Sequence, residues 1–330
     1  MEELLGKYPQ YFDSLLKNRD QFKIQIIYTQ IDRGANNNPH FKNFFYNVND
    51  KNYFYPASTV KMPTALLALQ KLNELKIDGL TKNTTMITDR GYSGQTPAYN
   101  DPSTIDGRPS IGQYVRKIFL VSDNEAFNRL YEFLGQGYLN DQLHKMGYDD
   151  AAILHRLEVS LTEDENRHTN PIQFRDQNNK IIYEQPMQFN ETAFASRQDS
   201  VGKGYYRQGQ LINGAMNFSG KNRLPLEDLH NILKSIIFPQ SVSAKQRFNI
   251  TKEDYQFVRK YMSELPRESK FPPYDSSYHD AYCKFILLGS EKQAKLPDST
   301  RIFNKVGDAY GFLIDVAYVA DFKNKVEFMV

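Results

Sequence analysis

Apolar positions along the chain change period several times, and each change marks an element. Residues 3 to 19 read as a helix despite Pro9, and FKIQIIYTQI (22 to 31) is an apolar, β-branched run of strand length. GANNNP (34 to 39) is a turn, and FKNFFYNV and NYFY beyond it read as two further short strands, so the N-terminal part predicts an antiparallel meander. From Val60 the period becomes helical. Ala65, Leu66, Leu69, Leu72 and Leu75 share a face, which predicts a helix starting near Ser58 with Pro63 tolerated close to its first turn.

Residues 88 to 109 are polar and rich in Gly and Pro, hence loop. Ser110 and Gln113 have capping-box spacing ahead of IGQYVRKIFLV, so a helix should run to about Val121. Another follows through AFNRLYEFL and a third near 138 to 146. From His155 to Leu224 the period is lost, apart from a hairpin expected around KIIYEQPMQF (180 to 189), and a long irregular insertion is predicted. Regularity returns where Leu226, Leu229, Leu233 and Ile236 form one face behind Pro225, and TKEDYQFVRKYM (251 to 262) is a further helix. TRIFNKVG, GFLIDVAYVAD and KVEFMV close the chain as three strands. Strands at both ends with helices between them predict a mixed α/β (α+β) fold in which the first and last segments share a sheet.

A length of 330 residues suits one large domain or two lobes. Forty-one basic and 39 acidic residues leave a net charge of +2 with no basic block, which argues against a nucleic-acid partner. The single cysteine, Cys283, cannot form an intrachain disulfide. MEELLGKYPQYF lacks the charge and apolar run of an export signal, and no stretch approaches membrane-spanning length, so stable membrane insertion is not expected. Six scattered histidines show no metal-ligand spacing, and neither GxGxxG nor GxxxxGK[ST] occurs, so no metal and no cofactor are predicted. The Tyr-rich stretches FKNFFYNVNDKNYFY and PPYDSSYHDAY read as core and loop packing, with carbohydrate stacking as the alternative.

Three Ser-x-x-Lys pairs occur, Ser14 with Lys17, Ser58 with Lys61 and Ser200 with Lys203. The first lies within a polar helix and the third within the glycine-rich SVGKGYY, neither of which holds a side chain rigidly in a buried site. Ser58 alone opens a buried helix, where unpaired N–H groups and the helix dipole favour a developing anion. The i, i+3 spacing puts Lys61 on its face, and a Lys61 kept neutral by burial or by a second cation can take the Ser58 proton. A capping serine followed by a surface lysine would give the same pair, so context decides. VSDNEAF (121 to 127) sets Ser122, Asp123 and Asn124 at a break between two helices, and FNKVGDAYG (303 to 311) sets Lys305 on a strand before a turn.

In this order the three elements resemble the SxxK, SDN and KTG motifs of the class A serine β-lactamases and penicillin-binding D,D-peptidases. NYFYPASTVKMP is similar to the strand-to-helix passage of the class A enzymes, LEDLHNILKSIIF to the helix after their omega loop, and KVGDAYGFLIDVAYV to their last two strands beside the site. The resemblance covers roughly residues 20 to 160 and 222 to 330. It implies one β-lactamase/transpeptidase-like domain over 1–330: an antiparallel sheet flanked by helices (lobe 1–57 and 226–330), a helical lobe (58–225, with the irregular insertion 160–222), and an active site at the seam. It implies Ser58 as acylated nucleophile, Lys61 as its proton acceptor, and Ser122 as proton donor to the leaving group. Asn124 would bond the substrate amide and Lys61, and Lys305 would supply a positive field. Gly307 and Val306 would line the substrate, and the backbone N–H groups of Ser58 and Ala309 would form the oxyanion hole. It also implies a small-molecule β-lactam or a D-amino-acid peptide or acyl substrate, a monomer, and a periplasmic or secreted bacterial setting.

Departures from the family pattern qualify this. Its omega-loop glutamate activates the deacylating water, yet direct counting through RLEVSLTEDEN (156 to 166) puts Leu161 there, leaving Glu163, Glu165 and Glu158 as candidate bases. Val306 replaces a Thr or Ser whose hydroxyl lies beside the substrate carboxylate, a loss of about 1 to 3 kcal/mol in a desolvated site. The family also continues into a helix after the strand that KVEFMV resembles. The expected activity is therefore acyl-enzyme hydrolysis of a β-lactam or related amide. A cell-wall D,D-peptidase or esterase on the same fold, and a catalytically degenerate peptidoglycan- or protein-binding module, are the alternatives.

Overall fold

The computed structural model describes residues 1–195 and 197–330. Its main sheet has five antiparallel strands in the spatial order Thr300–Ala309, Phe312–Asp321, Val326–Met329, Ile26–Arg33 and Pro39–Tyr46. The two chain ends thus meet where Thr29 lies opposite Met329. Alternation explains the inner face: Ile27, Thr29 and Ile31 are buried while their neighbours are less so. The Thr300–Ala309 strand is a free edge, and Pro39–Tyr46 forms the opposite one.

Three N-terminal expectations are corrected. Residues 3 to 19 form two helices, Glu2–Gly6 and Pro9–Lys17, because Pro9 has no N–H to continue the first and suits the first turn of the second. The strand begins at Ile26 instead of Phe22, since Phe22 and Ile24 close turns back to Asn18 and Arg19. NYFY is not a strand. Tyr53 and Tyr55 drive their rings into a buried cluster with Ala57, Phe218 and Phe312, and the Tyr53 hydroxyl donates to the Asn222 carbonyl at 2.9 Å.

The Lys61–Leu75 helix is buried from Lys61 through Gln70, on every face, and forms the centre of the core with Ile111–Val121 and Asn124–Leu134. Ser110 caps the second of these, its Oγ accepting from the Gln113 N–H at 3.2 Å. The box is half made, because the Gln113 amide donates to the Ser103 carbonyl instead. The next helix spans Gln136–Lys145. Leu226–Ile237 packs on the sheet, and Lys252–Ser263 starts at a full Thr251/Asp254 capping box.

The predicted irregular insertion carries more order than its pattern suggests. Ile172–Arg175 pairs with Ile181–Gln185, and both extend a strand at Thr85–Thr88, so the hairpin turns near 176–180 and not within 180–189. Gln188–Phe189 pairs with His168–Thr169, Ser200–Val201 with Met216–Asn217, and Gly204–Arg207 with Gln210–Asn213. These strands are two to five residues long and mostly half exposed, too short to set a period in the sequence. Among the described residues no helix is long and apolar enough to cross a membrane.

Candidate active site

The turn that carries the nucleophile candidate is built before its helix. Ala57–Val60 is a 3₁₀ turn running directly into Lys61–Leu75, and it closes through a bond from the Thr59 N–H to the Pro56 carbonyl at 3.0 Å. Ala57, just ahead of Ser58, is held at φ 46° with a fully buried side chain, a conformation that packing must impose on a non-glycine residue. Ser58 itself is partly exposed.

One turn on, Lys61 is completely buried. Its Nζ lies 2.5 Å from the Ser122 carbonyl, 2.5 Å from Asn124 Oδ1 and 3.3 Å from Ser122 Oγ. Burial holds its pKa well below the usual lysine range, and the Lys305 charge pushes the same way, against Asp123, Cys283 and Glu158. A neutral amine has two N–H donors and one lone pair. The two short contacts accept those donors, and the lone pair is left for a hydroxyl.

The SDN stretch is a hinge between helices. Ser122 ends Ile111–Val121 in the left-handed region, φ 56° and ψ 38°, and Asp123 caps the next helix by accepting from the Ala126 N–H at 2.7 Å. Lys117 sits between Asp101 and Asp123, at 3.5 and 3.6 Å, and ties the hinge to the loop before it. Asn124 is the first helical residue, with its amide aimed at Lys61.

Lys305 arrives from the edge strand. Its Nζ donates to Ser122 Oγ at 2.7 Å and to the Val306 carbonyl at 2.8 Å, and burial lowers its pKa to about 8 against the opposing pull of Cys283 and Asp315. Asp315 is itself half-buried. It accepts from Asn304 Nδ2 at 2.8 Å and from the Ile286 N–H at 3.0 Å, while Asn304 Oδ1 accepts from the buried Lys284 at 2.7 Å. Gly307 allows the approach of strand and turn: a Cβ there would lie 2.8 Å from the Pro56 carbonyl oxygen and 3.1 Å from Ala57 Cβ. Val306 is buried directly opposite Asp315.

The structure moves one expected donor. The turn after Ala309 has two residues, Tyr310 and Gly311, at φ 54° and 79°, as a type I′ hairpin requires. Its closing pair, Ala309 and Phe312, exchanges both backbone hydrogen bonds, and bonded pairs then alternate with unbonded ones. The Ala309 N–H therefore points into the sheet and cannot serve an oxyanion. Asp308, opposite Leu313, lies in an unbonded pair, so its N–H points out of the free edge beside Gly307. Asp308 replaces Ala309 as the second candidate donor.

The three loop carboxylates differ. Glu165 is committed to its own helix start, bonded to the Thr162 N–H at 2.8 Å and to Ser93 Oγ at 2.8 Å. Glu163 is exposed and lies 3.7 Å from Arg167. Glu158, also exposed, acts on the charge of Lys61 and lies at φ 57°. The loop that holds it is clamped by three asparagines that sequence reasoning missed. Asn128 bonds both the N–H and the carbonyl of Leu157, at 2.8 and 3.0 Å. Asn166 accepts from the Arg156 N–H at 3.0 Å, and Asn222 from the Leu154 N–H at 2.7 Å. Behind them Glu132 is buried between Arg129 and Arg156, 2.8 Å from each.

The sequence profile described as the beta-lactamase enzyme family matches residues 9–250. The chain belongs to the beta-lactamase enzyme family. Solved relatives agree in fold. A beta-lactamase from Desulfarculus baarsii is 12% identical, with a TM-score of 0.51 over 98% of this chain and 87% of that one. A class A beta-lactamase from Clostridium kluyveri is 14% identical, with a TM-score of 0.50 over 97% of this chain and 87% of that one. No curated protein matches the chain. Within the family's fold, the structure brings Lys61, Ser122, Asn124 and Lys305 into one hydrogen-bonded group beside the Ser58 turn, with Gly307 and Val306 on the adjoining strand.

Proposed function

We propose that this protein is a serine acyl hydrolase of the class A β-lactamase type, acting on a β-lactam or a related amide through an acyl-enzyme at Ser58. The observation that carries this is the chain from buried Lys61 through Ser122 to buried Lys305 beside the Ser58 turn. Neutral Lys61 takes the Ser58 proton as Oγ attacks the carbonyl, and the backbone N–H groups of Ser58 and Asp308 receive the oxyanion. Lys61, now an ammonium, returns the proton through Ser122 Oγ to the departing nitrogen, while Lys305 on the same oxygen steadies the developing charge. Asn124 holds Lys61 and bonds the substrate amide. Water then attacks the ester, with Glu158 the candidate base. The family's cell-wall chemistry supports a monomeric periplasmic or secreted enzyme with a small-molecule substrate.

A cell-wall D,D-peptidase or esterase is the second reading, and two observations favour it. Val306 offers no hydroxyl to a substrate carboxylate, and no loop carboxylate is buried at the site. Acylation would then outrun deacylation. Replacing the nucleophile decides between enzyme and binding module: Ser58→Ala should lower steady-state hydrolysis of every acyl donor by on the order of 10⁴-fold or more. Turnover unchanged by Ser58→Ala contradicts the proposal.

A further inference from the structure

Lys117 lies near the end of Ile111–Val121, five residues ahead of Ser122, and no step of the proposed reaction uses it. Its ammonium is almost midway between two carboxylates, 3.5 Å from Asp101 and 3.6 Å from Asp123, and its side chain is only 15% exposed, so water screens these pairs weakly. Each carboxylate is fixed from its own side. Asp101 is buried, and its Oδ1 accepts from the Ser103 N–H at 2.9 Å and from Ser103 Oγ at 2.5 Å. Asp123 is held by its cap bond to Ala126 and by its own N–H, which donates to the Lys117 carbonyl at 3.4 Å. Backbone and side chain of Lys117 thus grip the same residue. Among the described residues no other cation lies in ion-pair range of either carboxylate.

Asp123 stands between the two residues that hold Lys61. The Ser122 carbonyl and Asn124 Oδ1 each lie 2.5 Å from Lys61 Nζ, which makes the intervening carboxylate a near neighbour of the amine. Four charged or titratable groups act on Lys61: Lys305 from the edge strand, Asp123 from the hinge, Cys283 from the segment ahead of that strand, and Glu158 from the clamped loop. Lys305 disfavours the ammonium and the other three favour it, Asp123 most. Burial keeps the proton on the Cys283 thiol, and Glu158 is exposed, where water screens it. Tyr274 and Tyr282 face Asp123 from the 271–283 segment, but burial raises both phenols and leaves them uncharged at ordinary pH. Lys117 is therefore the one charge that sets how strongly Asp123 acts on Lys61.

We propose that Lys117 is a positioning residue for acylation: by holding the Asp123 carboxylate in an ion pair, it keeps that charge from stabilising Lys61 in the protonated form that cannot accept the Ser58 proton. The role rests on Lys61 as the base of the proposed acyl-enzyme step. Asp101 completes the device, since it fixes Lys117 from the side away from the hinge.

The test follows the pH dependence of acylation by benzylpenicillin and, separately, the protonation of Lys61. Lys117→Gln keeps a donor for both carboxylates and Lys117→Met keeps the apolar stem; each should move the acid limb of the acylation rate up by about 0.5 to 1 pH unit, the effect of one poorly screened charge. At a pH on that limb the rate should fall about 3- to 10-fold, with the loss recovered on the plateau. Lys117→Arg should restore the native limb, and Asp123→Asn, which removes the carboxylate but keeps an oxygen for the Ala126 cap, should move it down. A purely structural role would lower the rate equally at every pH, and that result overturns the proposal. If Ser58 takes no acyl group the proposed function fails, but Lys61 can still be read directly by carbon-13 NMR of lysine Cε, with Lys61→Arg assigning the signal. A Lys61 titration that moves up in the two neutral Lys117 variants and down in Asp123→Asn supports the role. The same midpoint in the native chain and in either folded neutral variant overturns it.

Discussion

Around Lys61 Nζ the two short contacts, to the Ser122 carbonyl and to Asn124 Oδ1, fix which way the amine points. Its remaining orbital is left for a hydroxyl, so in the proposed mechanism the group works as a base only when neutral, and burial with Lys305 nearby favours that form. Lys305 has the opposite requirement: it steadies an anion only while charged, and its pKa is about 8. Acylation by an anionic donor should therefore rise with pH as Lys61 loses its proton and fall again above about pH 8 as Lys305 does. Lys305→Arg, charged throughout, should abolish the alkaline limb of the kcat/KM profile. A limb that survives in that variant would assign it to another group. Ser58, Lys61, Ser122, Asn124 and Lys305 were visible in the sequence because each belongs to a short word with a mechanism behind it. Asn128, Asn166 and Asn222 were not, since an asparagine that clamps a distant backbone looks like any polar residue until the fold brings the two together.

At the scale of elements, the edge strand decides where an oxyanion can be held. Register and the type I′ turn direct the Asp308 N–H outward and the Ala309 N–H into the ladder. Asp308→Pro deletes the outward N–H along with the exposed carboxylate, and relative to Asp308→Ala, which loses the carboxylate alone, should lower the acylation rate by about 10²- to 10³-fold with the fold retained, as far-UV circular dichroism would report. An Asp308→Pro enzyme that acylates at the native rate would remove Asp308 from the site. The same strand shows why a sequence word locates a residue better than a hydrogen bond. KVG places Lys305, but side-chain parity and bond parity depend on the turn that closes the hairpin. NYFY illustrates the converse. Its aromatic content suits a strand, yet the rings of Tyr53 and Tyr55 are claimed by Phe218 of the insertion and Phe312 of the last hairpin, and the segment bends into the Ser58 turn instead of pairing.

For the molecule as a whole, the sheet joining both chain ends was legible because strands at the termini and helices between them leave few arrangements that bury both faces. The insertion was not legible. Its strands are short, and one of them, Ile172–Arg175, also pairs with Thr85–Thr88, far back in the chain. Phe194, Gly220 and Lys221 of the insertion also line one cleft with Leu157 and Glu158 of the clamped loop. Glu158 faces solvent at the mouth of that cleft and is not buried against Ser58, so acylation should be faster than release. Intact-mass spectrometry of the protein mixed with a penicillin and, separately, a cephalosporin, followed from seconds to hours with peptide mapping, tests this most directly. The expected result is a one-to-one adduct on Ser58 that accumulates and then decays slowly; a folded protein that takes no adduct, or takes it at another residue, contradicts the account.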